Sequence, residues 1–182
     1  MKILHIGQMI GGLDIYIRNS IEYADGSNDY VIVCGKKDRN KEVISRGVPV
    51  REYKINLYRT LNPWNDFLAI VQAVCIVRRE RPDMIHCHSA KGGVVGRIVG
   101  YATHTPTFYT PHAFSFLCTS SKIKRKMYLL IERLTRFNAH LLACSESERR
   151  LGIEKVRYSI DKALVWQNAV PDAANDLKND RE

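Results

Sequence analysis

Asp83–Met84–Ile85–His86–Cys87–His88–Ser89–Ala90–Lys91–Gly92–Gly93 is the stretch on which the fold turns. A short apolar run ends there in polar and glycine residues. Val94–Val95–Gly96–Arg97–Ile98–Val99–Gly100 then takes up a helical rhythm. This reads as a strand feeding a helix through a tight, glycine-bearing turn. Two further junctions of this kind stand at Gly7–Gln8–Met9–Ile10–Gly11–Gly12 and at Thr110–Pro111–His112. Ligands of open α/β sheets bind outside the carboxyl ends of the strands. The three junctions therefore predict one functional rim.

Outward from that stretch, strands and helices alternate. Residues 2–6 read as a buried strand and residues 13–24 as a helix with Leu13, Ile15, Ile17 and Ile21 interleaved with polar residues. Tyr30–Val31–Ile32–Val33–Cys34 is a β-branched strand between Gly26 and Gly35, and residues 36–40 form a charged turn. A short strand at 50–53 follows. Asn62–Pro63 opens a helix that Arg78, Arg79 and Arg81 close before Pro82, with Asn as cap, Pro at the first helical position and cations at the negative end of the dipole. Strands are expected at 84–87, 106–110, 140–144 and 163–166, and a helix at 91–102. A long helix over 121–138 has Ile123, Met127, Leu130, Leu134 and Phe137 on one face. Ser145–Glu146–Ser147–Glu148 has the pattern of a capping box. The alternation predicts an α/β fold, a doubly wound parallel sheet with helices on both faces.

At 182 residues and 45% hydrophobic, the chain can bury the core of one domain. The net charge of +9 favours anionic partners. The basic residues are dispersed, without a stacking-aromatic platform or recognition-helix motif, which excludes a nucleic-acid binder. No apolar run approaches the length of a spanning helix, and Met1–Lys2–Ile3–Leu4–His5 is too polar for a signal peptide. The five cysteines lack any C-x-x-C pair, and free buried thiols in a reducing cytoplasm are expected.

Four groups carry candidate chemistry. Gly11 and Gly12 stand between a strand and a helix, where backbone amides can approach a phosphate or a sugar. Their spacing is not G-x-G-x-x-G, and no acidic residue is well placed after the second strand, so NAD binding is disfavoured. His86 and His88 share one strand face; His86 is expected to be packed and His88 to sit at the exposed strand end. The sequence places no third ligand beside them, so no metal is assigned. His112, at a strand's carboxyl end, can donate to a phosphate or hydroxyl. Lys122, Lys124, Arg125 and Lys126 load the amino-terminal turn of the long helix, the wrong end for its dipole, and suit an external anion, either membrane phospholipid or the phosphate of a lipid-linked acceptor, the alternative being a solvated basic face.

Taken together, the junctions make the chain resemble the N-terminal, Rossmann-like domain of a GT-B glycosyltransferase of family 4. The resemblance covers residues 1–172 and rests on Met1–Lys2–Ile3–Leu4–His5–Ile6, Gly11–Gly12–Leu13–Asp14, Ile85–His86–Cys87–His88–Ser89, Thr110–Pro111–His112, Ser145–Glu146–Ser147–Glu148 and Val165–Trp166–Gln167–Asn168–Ala169–Val170–Pro171–Asp172. It implies two Rossmann-like domains flanking a cleft and transfer with retention of anomeric configuration. The donor is a nucleotide-sugar co-substrate, with no cofactor and no metal. The acceptor is a saccharide or a lipid-linked molecule, in cell-surface polysaccharide synthesis. By position it makes His112 and Asp14 the candidate catalytic residues and Gly11, Gly12, His88, Lys91 and Gly92 the candidate substrate-binding ones. Ala113 stands where a glycine is frequent, and Ala169 where the hinge-like N-G-V has its glycine. The donor-binding half would lie beyond residue 172, with 173–182 as polar linker or tail, so this chain alone is expected to be inactive. Work at the inner face of the membrane is the expected setting. A non-enzymatic Rossmann-like partner subunit is the alternative.

Overall fold

The computed structural model describes residues 1–166 except 25, 39–41 and 61. The expected linker at 173–182 and the segment 167–172 lie outside the described residues. Strands β1 (Lys2–Ile6), β2 (Asp29–Gly35), β5 (Arg51–Ile55), β6 (Met84–His88), β7 (Thr107–Thr110), β8 (His140–Ala143) and β9 (Ala163–Val165) form one parallel sheet in the order β5-β2-β1-β6-β7-β8-β9. Between β2 and β5 a two-stranded antiparallel ribbon, β3 (Ile44–Ser45) and β4 (Val48–Pro49), was not foreseen from the sequence. The chain builds outward from β1 through β2 to β5 and then returns to β6. The order therefore reverses between β1 and β6, where crevices open in doubly wound sheets.

Strand alternation divides the side chains between two faces. Leu4, Ile6, Ile85, Cys87, Tyr109 and Leu141 join the main core under α2 (Pro63–Glu80) and α3 (Ser89–Thr103). Ile32 and Cys34 face the other way, against Ile17 and Ile21 of α1 (Gly12–Glu22). Asn62 caps α2 by accepting from the amides of Trp64 and Asn65, and Arg81 closes it in the left-handed region.

The glycines of α3 correct the reading of the opening stretch. The turn is made at Ser89, with φ +57°, and Gly92 and Gly93 lie inside the helix. A Cβ at Gly93 would stand 2.1 Å from the Tyr109 ring, one at Gly96 2.3 Å from Cys87 Cβ and one at Gly100 1.8 Å from Thr107 Oγ1. These glycines let α3 lie directly on the sheet.

Helix α4 (Lys122–Leu134) is shorter than the predicted 121–138 and is capped by the Ser121 hydroxyl, which accepts from the Lys124 amide. Its inward side carries Tyr128 and Leu129, packed on the main core, and Glu132, 1% exposed, and not the stripe named above. The Glu132 carboxylate takes a hydrogen bond from Arg97 of α3 at 2.9 Å and one from the Tyr109 hydroxyl at 3.0 Å. Arg97 also donates to Tyr158 Oη at 3.2 Å and lies 4.1 Å from the centre of the Tyr109 ring. Of the cysteines, Cys34 and Cys87 are buried as expected, whereas Cys75 and Cys118 are exposed. Among the described residues no helix is long and apolar enough to cross a membrane.

Candidate functional site

The three junctions meet at the reversal point. Gly11 caps α1 with φ +59°, a conformation that favours glycine, and its side makes no capping hydrogen bond. The first turn of α1 thus has no side-chain cap at the positive end of its dipole. A Cβ at Gly11 or Gly12 would meet nothing within 4 Å, so this loop borders open space. Gly7, at the end of β1, lies against β6: a Cβ there would be 3.2 Å from His88 Cβ.

Four imidazoles gather beside this loop. His5 and His86 are register partners on β1 and β6, and His88 lies two residues along β6 on the same face. His88 Nε2 is 3.0 Å from His5 Nδ1, and His88 Nδ1 is 3.3 Å from His112 Nε2. His112 Nδ1 in turn meets Cys144 Sγ at 3.7 Å. His86 Nε2 pairs with Thr110 Oγ1 at 2.9 Å. Tyr16 of α1 closes the cluster, its ring set edge-on 4.7 Å from that of His112. A row of this kind is consistent when each ring carries one proton, every link having one donor and one acceptor. Burial holds both His5 and His112 down to about 4. Burial, reinforced by the neighbouring imidazoles, holds His86 and His88 well below the ordinary histidine value. The cluster is therefore neutral near pH 7.

Several expectations are corrected here. His88 is fully buried, not at an exposed strand end, and both ring nitrogens are engaged by other imidazoles. The Asp14 carboxylate is paired with Arg18 at 2.8 Å. Tyr16, two residues on and about 200° round the helix, is the α1 residue that reaches the imidazoles. Lys91 is tied to Asp66 of α2. Gly92 is buried against the backbone of Ile6 and Gly7, each 2.9 Å from where its Cβ would be, and so packs α3 on β1. Lys122, Lys124, Arg125 and Lys126 are exposed on the first turns of α4. Tyr16, one turn into the helix that Gly11 and Gly12 open, is in ring contact with His112.

Two positioning residues escaped the sequence reading. Asp38, in what reads as a charged turn, is buried, and its Oδ2 accepts from the amides of Met9 at 2.7 Å and Gly35 at 2.8 Å. It ties the glycine loop to the end of β2, and burial raises its carboxyl above the ordinary value. Glu148 of α5 (Glu146–Leu151) bridges the amides of Ala113 at 2.9 Å and Cys144 at 2.7 Å. Ser145 caps α5 as expected, but Glu148 turns to the His112 loop instead of completing the capping box. That loop is strained: His112 has φ +52° and Ala113 φ +78°. Ala113 thus holds the conformation a glycine would take there.

Beside His112 an open cavity of about 450 Å³ is walled by Ala113, Leu117, Cys144, Ser147 and Leu151. In a cavity of similar size at the amino ends of β1 and β2, Lys2 and Arg51 share the one carboxylate of Glu80, and Arg46 lies 3.8 Å from Asp29. As possible metal ligands, atoms of His5, His86 and His88 lie within 4.8 Å of one another. The hydrogen-bonded row accounts for both nitrogens of His88 and one of His5, leaving His5 Nε2 buried without a partner.

For an anion the rim offers a helix start without a side-chain cap, and for a hydroxyl a neutral, oriented imidazole at an open groove. Residues 10–174 match the family model described as Glycosyltransferase Family 4. A curated Escherichia coli relative, UDP-Gal:alpha-D-GlcNAc-diphosphoundecaprenol alpha-1,3-galactosyltransferase, is 27% identical over 116 residues, 63% of this chain and 30% of that protein. An uncharacterized 41.2 kDa protein of the Klebsiella pneumoniae cps region is 26% identical over 178 residues, 93% of this chain and 47% of its own length. The chain thus spans less than half the length of the curated relatives it matches. Among solved structures, the Anabaena protein HepE in complex with UDP and glucose superposes with a TM-score of 0.64 at 18% identity, over 99% of this chain and 50% of that one. Sucrose-phosphate synthase from Thermosynechococcus elongatus gives 0.65 at 16% identity, over 92% and 47%. The fold is the Rossmann-like α/β domain of GT-B proteins, and the chain belongs to glycosyltransferase family 4.

Proposed function

We propose that this chain is the acceptor-holding half of a retaining glycosyltransferase. The enzyme moves a sugar from a nucleotide-sugar to a saccharide or lipid-linked acceptor in cell-surface polysaccharide synthesis. The observation that carries the reading is the contact of Tyr16, on the helix that the Gly11–Gly12 loop opens, with His88 and His112, while a cavity opens beside His112 at the ends of β7 and β8. The printed activity of the Escherichia coli relative, a UDP-galactose donor and a diphosphoundecaprenol acceptor, supports this class of substrates.

Breaking the bond between a sugar and a nucleoside diphosphate builds negative charge on the leaving phosphates. Backbone amides with a helix dipole behind them stabilise that charge without reorganising, and they fill the role that a divalent cation fills elsewhere. His112, neutral and held by His88, bonds the acceptor hydroxyl once that hydroxyl displaces the long contact to Cys144 Sγ. In this reading His112 touches substrate, His88 and Tyr16 position it, and the donor lies mainly on a second domain.

The test uses the full-length enzyme with UDP-sugars and a GlcNAc-diphospholipid acceptor. His112→Ala lowers kcat at least a hundredfold, within the range a lost general acid–base group costs. Wild-type turnover in that variant removes His112 from the site. Product in which the anomeric configuration is inverted removes the retaining mechanism.

A further inference from the structure

Three imidazoles run in single file from the sheet to the groove. His5 Nδ1 is 3.0 Å from His88 Nε2, and His88 Nδ1 is 3.3 Å from His112 Nε2. The ring centroids are 5.3 Å and 5.6 Å apart, with the planes turned by only 14° and 27°. Each centroid separation exceeds its N···N distance by about two ring radii, so the rings lie end to end and each link is close to linear. At the outer end, His112 Nδ1 meets Cys144 Sγ at 3.7 Å, and both residues border the open cavity. His86, whose Nε2 pairs with Thr110 Oγ1, stands outside the row.

A neutral imidazole has one N–H and one bare nitrogen, so a row of three can point only two ways. Pointing inward, Cys144 donates to His112, His112 to His88 and His88 to His5, and the last proton stands on His5 Nε2. That atom is buried and has no partner. An N–H there has given up water and gained no acceptor, and orphaned buried N–H groups are rarer in proteins than under-used acceptors. Pointing outward, every N–H of the row has an acceptor. His5 Nδ1–H meets His88 Nε2, His88 Nδ1–H meets His112 Nε2, and His112 Nδ1–H faces Cys144 Sγ. Only a bare nitrogen is then left unpaired, at His5. The proton positions are assigned from this accounting.

We propose that His5 and His88 are positioning residues that fix His112 as a hydrogen-bond donor, with its Nδ1–H turned to the groove. Sulfur is a weak acceptor, so a ligand oxygen that displaces Cys144 Sγ makes the better bond. His112 is then no general base. Its groove-side nitrogen has no lone pair to offer, and burial holds the ring at about 4, far from neutral pH. Under the proposed function, on which this step alone rests, the hydroxyl that His112 bonds is one held in place, because an attacking hydroxyl needs its lone pair free. The hundredfold loss expected for His112→Ala is also the size of a lost preorganised donor. The row thus gives control of a groove nitrogen to His5, a buried residue that does not line the groove.

The test is long-range 1H–15N correlation NMR of the labelled 182-residue chain at pH 7, with the imidazole signals assigned by single His→Gln variants. His5, His88 and His112 should each show a protonated Nδ1 and a bare Nε2. A bare Nδ1 on His112, a charged ring there, or averaging between the two tautomers overturns the proposal. His5→Asp puts a group that only accepts where Nδ1 stood, and should turn the row so that His88 and His112 carry their protons on Nε2. Unchanged tautomers in a folded His5→Asp chain overturn the role of His5. The wild-type spectrum decides the polarity even where that buried carboxylate unfolds the chain. In the full-length enzyme His5→Asp should lower kcat about tenfold, whereas His5→Asn, which keeps an N–H donor at this place, should retain most of it. Turned tautomers with wild-type kcat overturn the donor role. The expected wild-type tautomers without sugar transfer by the full-length enzyme would sink the proposed function and leave the row standing.

Discussion

Glu148→Ala tests how the His112 loop is held. The carboxylate of Glu148 accepts from two amides, Ala113 at 2.9 Å and Cys144 at 2.7 Å, and so joins the loop after β7 to the end of β8. A hydrogen bond to a charged group contributes about 1.5–3 kcal/mol, so the pair contributes gross about 3–6 kcal/mol. The groove beside them is open, and water can reach the freed amides, which reduces the expected loss to about 2–3 kcal/mol. The loop also carries positive φ at His112 and Ala113, each costing about 1–3 kcal/mol, and that conformation persists only while its surroundings enforce it. Without Glu148 the loop relaxes and His112 leaves His88. Thermal unfolding of the chain should show a melting temperature lower by roughly 4–12 °C. Glu148→Gln keeps one acceptor oxygen and should lose about half as much. In the full-length enzyme kcat should fall with the loop. A Glu148→Ala protein that melts within about 2 °C of wild type, or a Gln variant no better than Ala, would refute the reasoning.

Ala113→Gly removes a left-handed L-residue at a cost in unfolded-state entropy, and should stabilise by about 0.5–1 kcal/mol; a urea midpoint that does not rise counts against strain at this site. Stability should also fall with acid. The folded values of His5 and His112 are about 4, below the unfolded 6.5, so the unfolded chain binds protons first. Their contribution is full above pH 6.5, is lost as pH falls from 6.5 to 4, at about 1.4 kcal/mol per pH unit for each ring, and changes no further below 4. Urea midpoints at pH 7, 6 and 5 check this, and a flat profile contradicts a neutral cluster. Glu132→Ala strands Arg97 and should cost about 3–5 kcal/mol by urea unfolding, while Arg97→Met with Glu132→Leu should recover most of it.

Short-range pattern carried the strands, the helices and the parallel order, because side-chain period and caps are properties of neighbours in the chain. Asn62–Pro63 and Ser121 open their helices as read. The rim could be placed for the same reason: the ends of parallel strands lie on one side whatever their partners. Contacts across the sheet were not legible. His5 reads as one residue inside a strand, and only the β1–β6 register sets it beside His86 and next to His88. Asp14 drew attention as an acid near the glycine loop, but the rotation of α1 gave the imidazoles to Tyr16. Asp38 and Glu148 lie in segments that read as a turn and a cap, and their bonds join pieces 29 and 35 residues apart. The rotation of α4 is the sharpest case. An apolar stripe ordinarily turns inward, but here α4 packs Tyr128, Leu129 and Glu132 inward, the last paired with Arg97 of another helix, and leaves the stripe outside. Amphipathicity says that a helix has two sides, and only the partners packed against it decide which of them meets water.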